Sequence, residues 1–169
     1  MATPVTSEVA KLTGIWAVEG ALLAGRYFKA NGAADGSDDA VASGAGAMAA
    51  GVGSQATGVE STAVGNNNVA AGDYSSAVGY VNTANGSNSS AVGNFNQVDG
   101  DNSSAFGSGN LVDGANAIAL GSNTIASGDV SVVIGDGAYA AADDSTAVGS
   151  GSVASEVGST ATGSGAEAS

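Results

Sequence analysis

Residues 75–108 read SSAVGYVNTANGSNSSAVGNFNQVDGDNSSAFGS, so that Ser-Ala-Val-Gly at 76–79 returns at 90–93 and as Ser-Ala-Phe-Gly at 104–107. The spacing of 14 extends in both directions without an insertion, and each repeat carries a glycine. These glycines stand at positions 51, 65, 79, 93, 107, 121, 135, 149 and 163. A fixed period predicts a solenoid in which each repeat forms one turn.

A second, weaker row of glycines runs seven residues out of phase and divides each repeat into two halves. It comprises Gly44, Gly58, Gly72, Gly86, Gly100, Gly114 and Gly128. A half of seven residues fits one short strand and one tight turn. Glycine supplies the positive φ or the close backbone approach that such turns need, and the Asn-rich pieces 66–68 and 85–88 fit the same role.

A helix is the competing interpretation, because seven residues are also a heptad. Glycine at this frequency costs a helix about 1 kcal/mol per residue, and the Ser, Asn and Asp side chains compete for its backbone hydrogen bonds. We therefore predict an all-β fold, a parallel β-roll in which each strand pairs with the strand 14 residues later. At about 4.8 Å per turn, the roll from residue 51 to residue 163 would be roughly 40 Å long.

The two faces of the predicted strand differ in side-chain size. The residue two before each row glycine is alanine in eight of nine repeats, the exception being Val133. Residues one and three before the glycine share the opposite face, and this row includes Thr62/Val64, Ile118/Leu120, Val132/Ile134 and Thr146/Val148. Alanine suits a thin interior. The row with the larger side chains is then left on the outside, where identical copies of the chain are the simplest partner. The pattern predicts oligomerisation but does not set the number of chains.

The charge distribution excludes several function classes. The formal net charge is −13, and the only basic residues are Lys11, Arg26 and Lys29. Nucleic acid and anionic membrane surfaces are therefore poor partners. Histidine and cysteine are absent, so the usual bases and nucleophiles of catalysis are missing. We predict no enzymatic activity, no cofactor and no membrane insertion, since no apolar run approaches the ~18 residues of a membrane helix.

Aspartates are numerous enough to raise the question of calcium binding. The nine-residue Gly/Asp period of calcium-binding rolls is absent, and a solvated acidic surface is the favoured interpretation. The pairs Asp99/Asp101 and Asp143/Asp144 are the best candidates for a weak cation site, and no metal site is predicted.

Aromatic residues offer few candidates for receptor contact. Tyr80, Phe95 and Tyr139 are expected outside the strand rows, where packing over neighbouring turns is the favoured interpretation and receptor contact the alternative. Trp16 lies in a less regular segment. We interpret residues 1–31 as a capping or lead-in segment and residues 32–169 as the repeat domain, since terminal units of solenoids are atypical. No receptor-binding residue is predicted.

The repeats Ser76–Gly79, Ser90–Gly93 and Thr146–Gly149 resemble the head repeats of YadA-like trimeric autotransporter adhesins. Residues 26–32, leading into 38–44, resemble the segment that introduces such heads. The resemblance implies a left-handed roll, a homotrimer, and display at the tip of a stalk on the outer membrane of a bacterium. It also implies attachment to host cells or extracellular matrix.

This sequence has no heptad stalk and no membrane anchor, so we expect a fragment of a longer protein. A purely structural spacer in a surface or phage tail fibre is the main alternative function. An ice-binding solenoid is less favoured, because it would need a regular exposed row of threonine.

Overall fold

The computed structural model describes Ser37 and residues 39–169, which form a parallel β-solenoid of about nine turns. The capping segment predicted for residues 1–31 lies outside the described residues, as do Trp16, Lys11, Arg26 and Lys29. Within the described residues there are strands and turns and no helix, which confirms the all-β prediction.

Each turn of the solenoid contributes one short strand and one longer strand to two different sheets. The short-strand sheet contains β1 (Val41–Ala42), β3 (Gln55–Ala56), β5 (Val69–Ala70), β7 (Thr83–Ala84), β9 (Gln97–Val98), β11 (Leu111–Val112), β13 (Ile125–Ala126), β15 (Tyr139–Ala140), β17 (Val153–Ala154) and β19 (Glu167–Ala168). The long-strand sheet contains β2 (Met48–Ala50), β4 (Thr62–Asn66), β6 (Ser76–Tyr80), β8 (Ser90–Asn94), β10 (Ser104–Ser108), β12 (Ile118–Ser122), β14 (Val132–Asp136), β16 (Thr146–Val148) and β18 (Thr160–Thr162).

Strand pairing follows the 14-residue period throughout the described part of the chain. In the long-strand sheet Ala77 pairs in parallel with Ala91, and in the short-strand sheet Ala70 pairs with Ala84. Equivalent residues therefore stack directly above one another, which confirms the predicted parallel roll. A substitution at one position is felt mainly by its counterparts in the turns before and after it.

The interior is narrow and is filled mainly by alanine. Ala77 and Ala91 of the long strands and Ala70 and Ala84 of the short strands are completely buried. The row of small residues thus points inward and the row of larger aliphatic residues points outward, as predicted. The largest apolar side chains fully buried among the described residues are Val98, Val112 and Val133.

A buried ladder of amide side chains runs along one side of this interior. Its members are Asn68, Asn82, Asn96 and Asn110, each at most 1% exposed, and we call it the amide ladder. Its repeating contact joins each amide to the one before it. Asn82 Nδ2 donates to Asn68 Oδ1 over 3.0 Å, Asn96 Nδ2 to Asn82 Oδ1 over 2.9 Å and Asn110 Nδ2 to Asn96 Oδ1 over 2.9 Å.

The amide ladder is continued at both ends by hydroxyl side chains. Asn68 N donates to Ser54 Oγ over 3.4 Å, and Thr124 Oγ1 donates to Asn110 Oδ1 over 2.6 Å. Asn68 lies in the turn between β4 and β5, as predicted, but the burial of its side chain was not predicted. Its side chain lies in the core because it shares the inward face with Ala70, two residues later.

Glycine is required for two separate reasons, one inside the long strands and one in the turns. Gly79 has a φ of 124°, and a Cβ added there would overlap the carbonyl oxygen of Gly93. Gly86 of the second row does not have a positive φ, and the carbonyl oxygen of Gly100 alone excludes a side chain. The left-handed conformation predicted for asparagine is confirmed at Asn67 and Asn88.

Candidate functional site

The long-strand sheet presents a row of apolar side chains on its outer face. We call this row the apolar stripe: the residue just before the row glycine in β4 to β16, namely Val64, Val78, Val92, Phe106, Leu120, Ile134 and Val148. The residue three positions before the glycine shares this face and is serine or threonine in most of the long strands. Phe106, Leu120 and Ile134 follow one another in successive turns and are 42%, 46% and 38% exposed. Side chains in adjacent turns lie about 4.8 Å apart along the solenoid, so they form one continuous surface. A continuous apolar surface of this kind marks an interaction site.

Seven of the nine described turns that lead from a short strand to the next long strand carry carboxylates, and we call this side of the solenoid the acidic edge. Most of the carboxylates in the described residues lie here: Glu60, Asp73, Asp99, Asp101, Asp113, Asp129, Asp143, Asp144 and Glu156. No lysine or arginine occurs among residues 39–169, so none of these carboxylates has a cationic side chain within that range.

Several aspartates on the acidic edge accept hydrogen bonds from the backbone of the preceding turn. Asp73 Oδ1 accepts a hydrogen bond from Val59 N over 2.9 Å, and Asp129 Oδ1 accepts one from Ala115 N over 2.8 Å. In each case the donor lies 14 residues earlier, so a carboxylate in one turn pairs with a backbone N–H of the turn before. Such charge-assisted bonds stabilise the stacking of turns at the edge.

The two candidate cation pairs belong to this hydrogen-bonding pattern. Asp99 accepts bonds of 2.6 Å from Asn85 Nδ2 and from Gln97 Nε2, while Asp101 accepts one of 2.7 Å from Ser87 N. Asp143 Oδ1 accepts a bond of 2.9 Å from Asp129 N. Within Ser37 and residues 39–169, no group of three or more His, Cys, Asp or Glu side chains is placed to hold a metal ion.

The opposite side of the solenoid, where each long strand ends and turns toward the next short strand, carries two exposed aromatic rings. Tyr80 and Phe95 meet edge to face with their centroids 5.2 Å apart, and we call them the aromatic pair. The prediction that such residues pack over neighbouring turns is confirmed for this pair. The expected position outside the strands was wrong for Tyr80, which ends β6, and for Tyr139, which begins β15 on the outer face of the short-strand sheet.

A comparison with protein families identifies the repeats. The family described as YadA head domain repeat matches residues 42–68, 56–82, 84–110, 113–138, 126–152 and 140–166. This chain belongs to the YadA head family. The resemblance seen in the Ser-Ala-Val-Gly repeats is thereby confirmed across most of the solenoid. A search of curated proteins found no match.

Membership of the YadA head family indicates an adhesin-type function at the cell surface. The YadA head family is not a family of enzymes. In the part of the chain that the structure describes, no helix has the length and apolar character needed to cross a membrane. Within residues 39–169, the surfaces open to a partner are the outer faces of the two sheets and the two lines of turns.

Proposed function

We propose that this chain is the head of a homotrimeric adhesin, displayed on the outer membrane of a bacterium, that attaches to host cells or extracellular matrix. The observation that carries the proposal is the match of the YadA head repeat to residues 42–166, in one register without an insertion. The left-handed sense of the roll and the attachment to a host are properties that family membership supports.

The apolar stripe supports the homotrimer. The Leu120 side chain is 46% exposed. Phe106 and Ile134 hold the equivalent position in the turns before and after it, so the three apolar side chains are neighbours on the surface. Three chains that turn this face toward a common axis would remove the stripe from water. The acidic edge would then remain in solvent, where its carboxylates keep the assembly soluble.

Two substitutions in the same turn test the placement of the subunit contact. Leu120→Asp puts a carboxylate into the apolar stripe, and Ile125→Asp puts one on the outer face of the short-strand sheet, where the side chain is 37% exposed. Light scattering coupled to size exclusion should give the wild type a mass of about 47 kDa, three times the 15.7 kDa of one chain. Leu120→Asp should abolish the trimer and Ile125→Asp should preserve it.

The reverse pattern would contradict this arrangement, because a trimer that survives Leu120→Asp but not Ile125→Asp must pack through the other sheet. A monomeric wild type with the circular dichroism of a β-protein would refute the homotrimer itself.

Attachment is tested separately from assembly. The trimeric protein should bind cultured epithelial cells or immobilised extracellular-matrix proteins, and heat unfolding should remove that binding. A folded trimer that binds none of these surfaces would refute the adhesin and leave a structural spacer in a surface fibre as the function.

A further inference from the structure

We propose that the aromatic pair, Tyr80 and Phe95, is a binding site for neutral carbohydrate. This inference names a ligand class for the proposed adhesin and rests on that function. Tyr80 is 45% exposed and Phe95 is 58% exposed, and the two ring planes are inclined by 82°. Because each ring restrains the other, the pair presents a preorganised aromatic surface to solvent.

The backbone at this site is held in a conformation that its residues disfavour. Phe95 has a φ of 55°, and Val81 at the equivalent position one turn earlier has a φ of 53°. The same position holds only glycine or asparagine in the other turns: Gly53, Asn67, Gly109, Asn123, Gly137, Gly151 and Gly165. A left-handed residue other than glycine costs about 1–2 kcal/mol, and Phe95 does not recover this by burial. A surface role for the ring accounts for its presence.

The surroundings of the aromatic pair are uncharged and rich in amides. Asn66 and Asn94 occupy the position of Tyr80 in the turns before and after it. None of residues 66–68, 80–82, 94–96 and 108–110 is charged. The carboxylates of the acidic edge lie on the opposite line of turns. This part of the surface therefore combines aromatic rings with groups that both donate and accept hydrogen bonds.

These features select the ligand class. The apolar C–H face of a sugar ring packs on an exposed aromatic ring, and its hydroxyls pair with amide side chains. Anionic sugars and nucleic acids are disfavoured by the net charge of −13. Two aromatic side chains offer at most about 150–250 Å² each, far below the ~800 Å² per partner of a stable protein interface. A neutral sugar ring fits this limited surface.

The test uses the trimeric protein on an array that carries neutral oligosaccharides ending in galactose or glucose, with sialylated versions of the same chains. The wild type should bind at least one neutral chain and bind its sialylated version more weakly. For the neutral chain that binds best, Phe95→Asn and Tyr80→Ser should each weaken affinity by about tenfold in a solution titration. Both variants will fold, because Asn67 and Asn123 hold the position of Phe95, and Ser108 and Ser122 hold that of Tyr80.

Tyr74→Asn is the matched control. Tyr74 is 56% exposed with a φ of 59°, but it lies on the acidic edge, where Asn88 and Asn102 hold the same position. Its replacement should leave sugar binding unchanged.

The proposal is overturned if the wild type binds no neutral oligosaccharide, or if Phe95→Asn binds with full affinity. It is also overturned if Phe95→Asn has a smaller mass in solution than the wild type, because the aromatic pair would then be a subunit contact. Binding to cells without binding to any oligosaccharide overturns the carbohydrate site and leaves the adhesin standing. Sugar binding without attachment to cells or matrix overturns the adhesin instead.

Discussion

Removal of one amide from the middle of the amide ladder should destabilise the solenoid severely. Asn96 Nδ2 donates to Asn82 Oδ1 over 2.9 Å, to Val92 O over 3.1 Å and to Gly107 O over 3.0 Å. Its Oδ1 accepts from Asn110 N over 3.1 Å and from Asn110 Nδ2 over 2.9 Å. Asn96→Ala removes all five contacts, which share two Nδ2 hydrogens and two Oδ1 lone pairs and so amount to about four full bonds. It also leaves buried polar groups without partners. At a net ~0.5–1.5 kcal/mol per bond, the expected loss is roughly 2–6 kcal/mol.

The size of that loss decides whether the amide ladder is a main source of stability, because a folded domain is stable by only about 5–15 kcal/mol. The assay is denaturant unfolding followed by circular dichroism, with all proteins at one concentration. Asn94→Ala is the control, since Asn94 has the same side chain two residues away in β8 but is exposed. It should cost less than about 0.5 kcal/mol.

The reasoning fails if Asn96→Ala and Asn94→Ala unfold at the same denaturant concentration. That result would mean that water or a local rearrangement replaces the lost bonds. The stability of Asn96→Thr should lie between those of Asn96→Ala and Asn94→Ala. Thr124 holds the equivalent position and donates a 2.6 Å hydrogen bond to Asn110, so threonine can keep one bond of the amide ladder.

Two further predictions concern residues with a positive φ and are tested by thermal unfolding. Gly93→Ala should lower the melting temperature sharply, because its Cβ would overlap the carbonyl oxygen of Gly107, whereas Gly137→Ala should cost only about 1 kcal/mol since no atom lies within 4 Å of its Cβ. Equal effects of the two would exclude close backbone approach as the reason for glycine. Val130→Asn should raise the melting temperature by relieving a β-branched residue at a φ of 60° that is 53% exposed. A lower melting temperature would show that Val130 has contacts that offset its strain.

The sequence was sufficient for the features that depend on period. The 14-residue spacing predicted the parallel register, and alternation along the strand predicted that Ala77 points inward and Val78 outward. The amide ladder was missed, because asparagine next to glycine is also typical of turns. A signal was present nonetheless: Asn68, Asn82, Asn96 and Asn110 follow the 14-residue period, and each lies two residues before a buried alanine or valine.

The aromatic pair shows a different limit of the sequence pattern. Tyr80 and Phe95 are 15 residues apart, one more than the repeat, so they occupy neighbouring positions in adjacent turns. Their ring contact depends on side-chain torsions that the period does not determine. The positive φ of Phe95 could not be predicted either, because phenylalanine rarely adopts this conformation.

A thin alanine interior explains why the large apolar residues of this chain lie outside it. Equivalent positions on the two sheets hold alanine or valine, and a larger side chain would force the sheets apart in its own turn and in both neighbours. Large side chains are therefore excluded from the interior and remain on the outer faces, as at Phe106 and Leu120.

Full burial of such a side chain is worth about 1.5–3 kcal/mol, so covering the exposed half of each contributes about 1 kcal/mol. Summed over Phe106, Ile118, Leu120 and Ile134, this contribution is about 4 kcal/mol, close to the whole stability of a marginal domain. A roll with this interior would gain more from packing against copies of itself, as in the proposed trimer, than from any enlargement of its own core. The apolar stripe and the alanine core are thus two consequences of one repeat.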